Sequence, residues 1–312
     1  MEPHTRVVHL PGSRLRKWAT TFLSKHPLHS SNRVAAQKPL YGIKVICISD
    51  THNQQPEVPE GDILIHSGDL TENGSFEEMQ KQLHWLSSLP HRHKVLVAGN
   101  HDVLLDEAFL DRHPERRYGQ VETAKDLEWG SIHYLENSSI TIELKSAGDS
   151  VSKKQLKIFG SPFTPRYGVS AFQYPRDEDF WTDRIPRDVD IVVTHGPPHL
   201  HLDTQSFHRA GCPYLAEELF RCRPRLAVFG HIHAAYGRED VLLDGALLAH
   251  DSIQRGWGGH YELVELFFRV YGAKVQGWLL PTKLGRVTTL VNASVVAGRR
   301  NELRNEPVFI SL

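Results

Sequence analysis

Five short segments of this chain carry side chains able to hold cations: Asp50-Thr51-His52, Gly68-Asp69, Gly99-Asn100-His101-Asp102, Thr194-His195-Gly196 and Gly230-His231-Ile232-His233. Asp and Asn oxygens with neutral imidazole nitrogens are donors that Mn, Fe and Zn share, and no thiolate stands among them to impose a structural zinc site. The set suffices for two divalent cations, and such a pair acidifies water and polarises phosphoryl oxygens. At i, i+2 spacing, Asp50/His52 and His231/His233 can each aim two side chains at one ion. Singly, each segment has an ordinary reading: a buried His is usually a hydrogen-bonded core residue, and an Asp ending a strand is usually a cap or turn former. Five in one chain, with 20 histidines in all, do not reduce to that.

These residues cooperate only if the fold gathers them. Each segment follows a short apolar run bounded by turn formers, at 43–49, 62–66, 94–98, 191–194 and 226–229, which reads as a buried strand. Helical spacing lies between them, with Phe76, Met79, Leu83 and Leu86 on one face and Leu215, Leu219 and Cys222 on another. Strand, loop and helix in alternation is α/β texture, and the carboxyl ends of the strands in such a sheet open into one crevice. Further strands are predicted at 139–144, 156–159, 241–249, 287–291 and 308–310.

Lys and Arg number 36 against 37 Asp and Glu, a net charge of -1. That balance, with no basic stripe near the five loops, argues against a nucleic-acid partner. Cys47, Cys212 and Cys222 form no disulfide framework and point to a reducing compartment, expected to be the cytoplasm. Residues 1–40 hold seven basic residues and one acid, Glu2, and read as a flexible extension, with 13–24 able to form a weakly amphipathic helix. A mitochondrial address is the alternative reading of that segment. No run is long and apolar enough for a membrane span or a secretory signal. The apolar stretch 261–280 reads as a packed helix or helical hairpin, with membrane or partner contact as the alternative. Residues 41–312 read as one domain.

The ordered set Asp-x-His, Gly-Asp, Gly-Asn-His-Asp, Thr-His-Gly, Gly-His-x-His resembles the calcineurin-like metallophosphoesterase superfamily. Ile48 to His52, Gly160-Ser161-Pro162, Thr194 to Pro198 and Val291-Asn292-Ala293-Ser294 are similar to its class III cyclic-nucleotide-phosphodiesterase-like branch, which includes the metallophosphoesterase-domain-containing brain proteins and fungal relatives. Two departures stand out: His231 is kept where the vertebrate brain proteins have Gly, and Ala234-Ala235 follow His233 where the branch commonly has Glu. Residues 255–285 resemble an apolar insertion of the fungal members.

The resemblance implies a four-layer αββα sandwich of two mixed β-sheets. It implies one metal held by Asp50, His52 and His233, a second by Asn100, His195 and His231, and Asp69 bridging both. Mn is the favoured ion, with Fe or Zn as alternatives. His101 is the implied acid for the leaving oxygen; Asp102, next in sequence, could orient it or could stand at the start of a helix. Apart from the resemblance, His199 and His201 follow the His195 loop and could line the pocket mouth, an ordinary structural role being the favoured reading. The implied reaction is hydrolysis of a cyclic nucleotide or other small phosphodiester; a phosphomonoesterase and a catalytically idle metal-binding scaffold are the alternatives.

Overall fold

Runs of buried β-branched residues become strands because they can bury both faces. The computed structural model describes residues 13–25, 42–145, 153–205, 208–279 and 287–312. Its main strands are β1 (Lys44–Ile48), β2 (Ile63–Ser67), β3 (His93–Val97), β4 (Ile132–Tyr134), β5 (Ser138–Lys145), β6 (Lys153–Ser161), β7 (Ile191–Thr194), β8 (Leu226–Phe229), β9 (Gly237–Leu242), β10 (Val287–Asn292) and β11 (Val308–Ser311). One sheet runs β11-β1-β2-β3-β4, parallel except for β11; the other runs β9-β10-β8-β7-β6-β5, with antiparallel strands at both edges.

Alternation along each strand sorts side chains between layers. Val45, Cys47, Ile63 and Ile65 cluster with Ile158, Ile191, Val193 and Val228 between the sheets. Ile46, Ile48 and Leu64 point the other way, against Met79 and Leu83 of α2 (Phe76–Ser88) and Phe109 of α3 (Glu107–Arg112). On the far side Val192, Ala227 and Phe229 meet Leu215 and Leu219 of α4 (Pro213–Cys222). Helix, sheet, sheet, helix is the expected four-layer sandwich.

One expectation is corrected. The strand predicted at 241–249 ends at Leu242, and α5 (Gly245–Arg255) begins there, because the Asp244 carboxylate accepts from the Ala246 and Leu247 amides and caps it. Within the N-terminal extension, the helix that 13–24 could form is present, as Ser13–Lys25. Its stripe Leu15, Ala19, Phe22, Leu23 packs on α5 and on the helix His260–Leu279, with Ala19 wholly buried beside Ile253 and Leu266. The other residues of 1–40 lie outside the described ones, as does Leu280.

Candidate metal centre

All five ligand-bearing segments leave the carboxyl ends of parallel strands: β1, β2 and β3 in one sheet, β7 and β8 in the other. Sharp turns follow at once. Asp50, His52, Asp69 and His231 adopt positive φ, at 55°, 44°, 52° and 67°. Such backbone costs roughly 1–3 kcal/mol per residue and persists where surrounding bonds enforce it. Here the Asp50 amide donates to the Gly68 carbonyl at 2.8 Å and the His52 amide to the Asp69 carbonyl at 3.1 Å. Glycine is required where loops touch: a Cβ on Gly230 would lie 2.1 Å from Asp50 Oδ2, and one on Gly99 2.2 Å from Asp69 Oδ1.

Three groups of donors result among the described residues: His52, Glu72 and His101 form one, and the other two share a carboxylate. Asp50, His52, Asp69 and His233 bring ligand atoms within 4.8 Å of one another, and so do Asp69, His195 and His231. Asp69 Oδ1 accepts from the His101 amide at 2.9 Å, which leaves Oδ2 between the two groups, 3.8 Å from His52 Nε2 and 3.4 Å from His195 Nε2. Asn100 joins the second group, with its Oδ1 3.0 Å from His195 Nε2. His195 Nδ1 is spent on the Ser67 carbonyl at 3.0 Å, so that Nε2 is the atom turned to the oxygens.

These residues fit divalent cations. His52 Nε2 is buried and has no hydrogen-bond partner among the described residues. Burial pushes the His195 imidazole down, but the Asp69 carboxylate outweighs it and lifts the ring to about 9. Buried surroundings that attract a proton so strongly favour positive charge, a condition a cation also meets. Burial and the neighbouring His195 hold His231 at about 3, a neutral imidazole with a lone pair to give. Against burial, His233 holds the Asp50 carboxyl well below the usual range, and His195 and His101 do the same for Asp69.

Supporting contacts include several that sequence reasoning missed. Ser294 Oγ donates to Asp50 Oδ2 at 2.7 Å, fixing that carboxylate; the Val291-to-Ser294 motif was visible, its target was not. Glu72 Oε2 lies 3.0 Å from His52 Nδ1, while the Glu72 carbonyl accepts from His101 Nδ1 at 2.6 Å. Asp102 does not take the orienting role toward His101. Its oxygens accept from the amides of Leu70, Thr71 and Gly99 and from the Thr71 hydroxyl, at 2.7 to 3.2 Å, and so tie the Asp69 loop to the Asn100 loop. The His101 ring is oriented by the Glu72 carbonyl instead.

A cavity of about 470 Å³ opens over the cluster, lined by His52, Asp69, His101, His231 and His233 together with Tyr167, Arg299 and Asn301. His199 and His201 do not line it. His201 is buried between Glu239 and Asp251, at 3.1 and 3.2 Å, and fastens the loop after His195 to α5. Burial lowers its ring, but bonds to Asp251 and Glu239 outweigh that and raise it to about 9. A raised His contributes stability that is complete below its unfolded value of about 6.5 and is lost as pH rises through the folded value. His201→Gln is therefore expected to lower stability by about 3 kcal/mol at pH 6. Melting curves between pH 6 and 10 should show that gap closing; a gap that does not depend on pH would count against a charged His201.

Strand-end loops from two stacked sheets thus bring carboxylates and imidazoles together around one shared Asp. Residues 43–235 match the family model of the calcineurin-like phosphoesterases, and the chain belongs to that family. It is 44% identical over 272 residues to the probable rhamnogalacturonate lyase C of Emericella nidulans, a match covering 86% of this chain and 24% of that one. To the human metallophosphoesterase domain-containing protein 1 it is 36% identical over 221 residues, 67% of this chain and 65% of the other. To a 3',5'-cyclic-nucleotide phosphodiesterase of Nostoc it is 26% identical over 189 residues, 58% and 59% of the two chains. The chain thus spans 24% of the first relative's length and 65% of the second's. Among the described residues no helix is long and apolar enough to cross a membrane.

Proposed function

We propose that this chain hydrolyses small phosphodiesters, a cyclic nucleotide being the favoured substrate, at a pair of divalent cations. The observation that carries the reading is the position of Asp69 Oδ2 between His52 and His195, one carboxylate oxygen serving two donor groups. Asp50, His52 and His233 complete one site, and Asn100, His195 and His231 the other. Mixed oxygen and imidazole donors suit Mn, the favoured ion, as well as Fe or Zn. Cations bound there supply Lewis-acid polarisation of phosphoryl oxygens and a nucleophile available at neutral pH.

The remaining work falls to side chains of the pocket. His101 carries the proton for the departing oxygen: with Nδ1–H donating to the Glu72 carbonyl, Nε2 is the position from which a proton is transferred. Burial disfavours the charged ring, but the Asp69 carboxylate and the Glu72 carbonyl outweigh it and raise its pKa. Arg299 lines the pocket, is exposed, and has no hydrogen bond or ion pair among the described residues, which suits it to an anionic substrate. The Nostoc relative's name supports the diester preference.

The test is turnover by protein reconstituted with Mn, Fe or Zn, offered a bis-aryl phosphodiester, an aryl phosphomonoester and a panel of cyclic nucleotides. Turnover of the diester is expected. Exclusive turnover of the monoester overturns the substrate assignment, and full metal occupancy with no turnover of any substrate overturns the enzyme in favour of a scaffold.

A further inference from the structure

The helices Ser13–Lys25, here α1, and His260–Leu279, here α6, present an apolar face to solvent. Trp18 is 67% exposed, Phe268 69% and Tyr261 76%. Phe22 stacks on Phe267 with ring centroids 5.5 Å apart, and beside them runs a groove of about 650 Å³ walled by Trp18, Leu263 and Val264, with Lys25 at its edge. This groove is larger than the pocket over the Asp/His cluster and shares no residue with it. Contiguous aromatic surface of this kind marks a contact face.

The charge around it says what it meets. Within a chain of net charge -1, α1 carries Arg14, Arg16, Lys17 and Lys25 and no acid. Arg14, Lys17 and Lys25 fall on the helix face turned away from the packed stripe of Leu15, Ala19, Phe22 and Leu23, and the exposed Trp18 flanks that stripe, so cations and indole reach solvent together. Neither acid of α6 is ion-paired with them among the described residues: Glu262 accepts from the Gly259 amide and Glu265 pairs with Arg269. A second copy of this chain would set like charges against each other across the interface. An anionic lipid surface supplies negative charge in one plane and apolar depth beneath it, the complement of a basic aromatic helix.

We infer that the α1–α6 face docks on an anionic lipid surface, with Trp18, Tyr261 and Phe268 entering the interface and Arg14, Lys17 and Lys25 on lipid phosphates. The inference is independent of which phosphoester the pocket cleaves.

Co-sedimentation of the full chain with phosphatidylcholine vesicles, with and without phosphatidylserine, tests it. The chain is expected to pellet with the anionic vesicles and to be released by salt. Lys17→Glu with Lys25→Glu should weaken that partition roughly five-fold per charge lost, and Trp18→Ser with Phe268→Ser roughly ten-fold. All four side chains are exposed, so melting temperatures should not move. Absence of pelleting, or pelleting that neither pair of substitutions reduces, overturns the inference. So does a dimer in sedimentation velocity that Trp18→Ser with Phe268→Ser dissolves, because a second copy would then cover the face.

Discussion

Asp69→Asn is expected to leave the protein folded and, under the proposed function, to abolish both cation binding and hydrolysis. The substitution keeps size and shape, and an Asn oxygen can still accept from the His101 amide, the bond that Asp69 Oδ1 now makes at 2.9 Å. The amide nitrogen then falls where Oδ2 stands, between His52 Nε2 and His195 Nε2. Two N–H donors replace a charged acceptor at the one point common to both donor groups. The Asp69 charge is also what lifts His195 against burial, so the second group loses its preference for positive charge. Bound cations contribute several kcal/mol to stabilising charge at phosphorus, so turnover should fall by about 10³-fold or more. Elemental analysis of the dialysed variant checks the cause. Asp50 belongs to one group only, so Asp50→Asn should release one cation where Asp69→Asn releases two. Full metal content with wild-type turnover in Asp69→Asn would remove the bridging role and the dinuclear reading with it.

The gathering of these loops was legible because burial dictates it. A strand such as Ile191–Thr194, buried on both faces, must lie inside a sheet, and polar residues at its end have only the sheet edge to occupy. Direction within a loop was not legible. Asp102 follows His101 in sequence, yet its backbone, at φ -81° and ψ 53°, turns the carboxylate back to the Leu70 and Thr71 amides. Glu72 carries no motif, and only the folded loop brings both its carboxylate and its carbonyl to imidazoles. In α1 the stripe Leu15, Ala19, Phe22, Leu23 was weak evidence by itself. It acquires meaning from the partner surface on α5 and α6, more than 200 residues away. The same holds at Asp244, whose capping bonds turn an apparent strand into a helix start.

His101→Gln separates proton delivery from cation binding. His101 is in neither Asp69-bearing group, so the variant should keep its metal while turnover falls by roughly 10² to 10⁴-fold, the range of a lost general acid. The loss should depend on the departing group. A nitrophenolate leaves without needing a proton, so its ester should lose little; an alkoxide such as the ribose oxygen of a cyclic nucleotide needs one and should show the full deficit. The pH profile carries the same signature. Against burial, Asp69 and the Glu72 carbonyl raise the His101 pKa above its ordinary value of about 6.5, so wild-type turnover of an alkyl ester should decline on the alkaline side only above that ordinary value. That alkaline decline should be absent from His101→Gln. Glu72 cannot be replaced in its carbonyl, so Glu72→Gln should preserve the decline while weakening the hold on His52. An equal loss for aryl and alkyl esters in His101→Gln would show that the imidazole orients substrate and does not protonate it, and the proton donor would have to be sought elsewhere along the pocket.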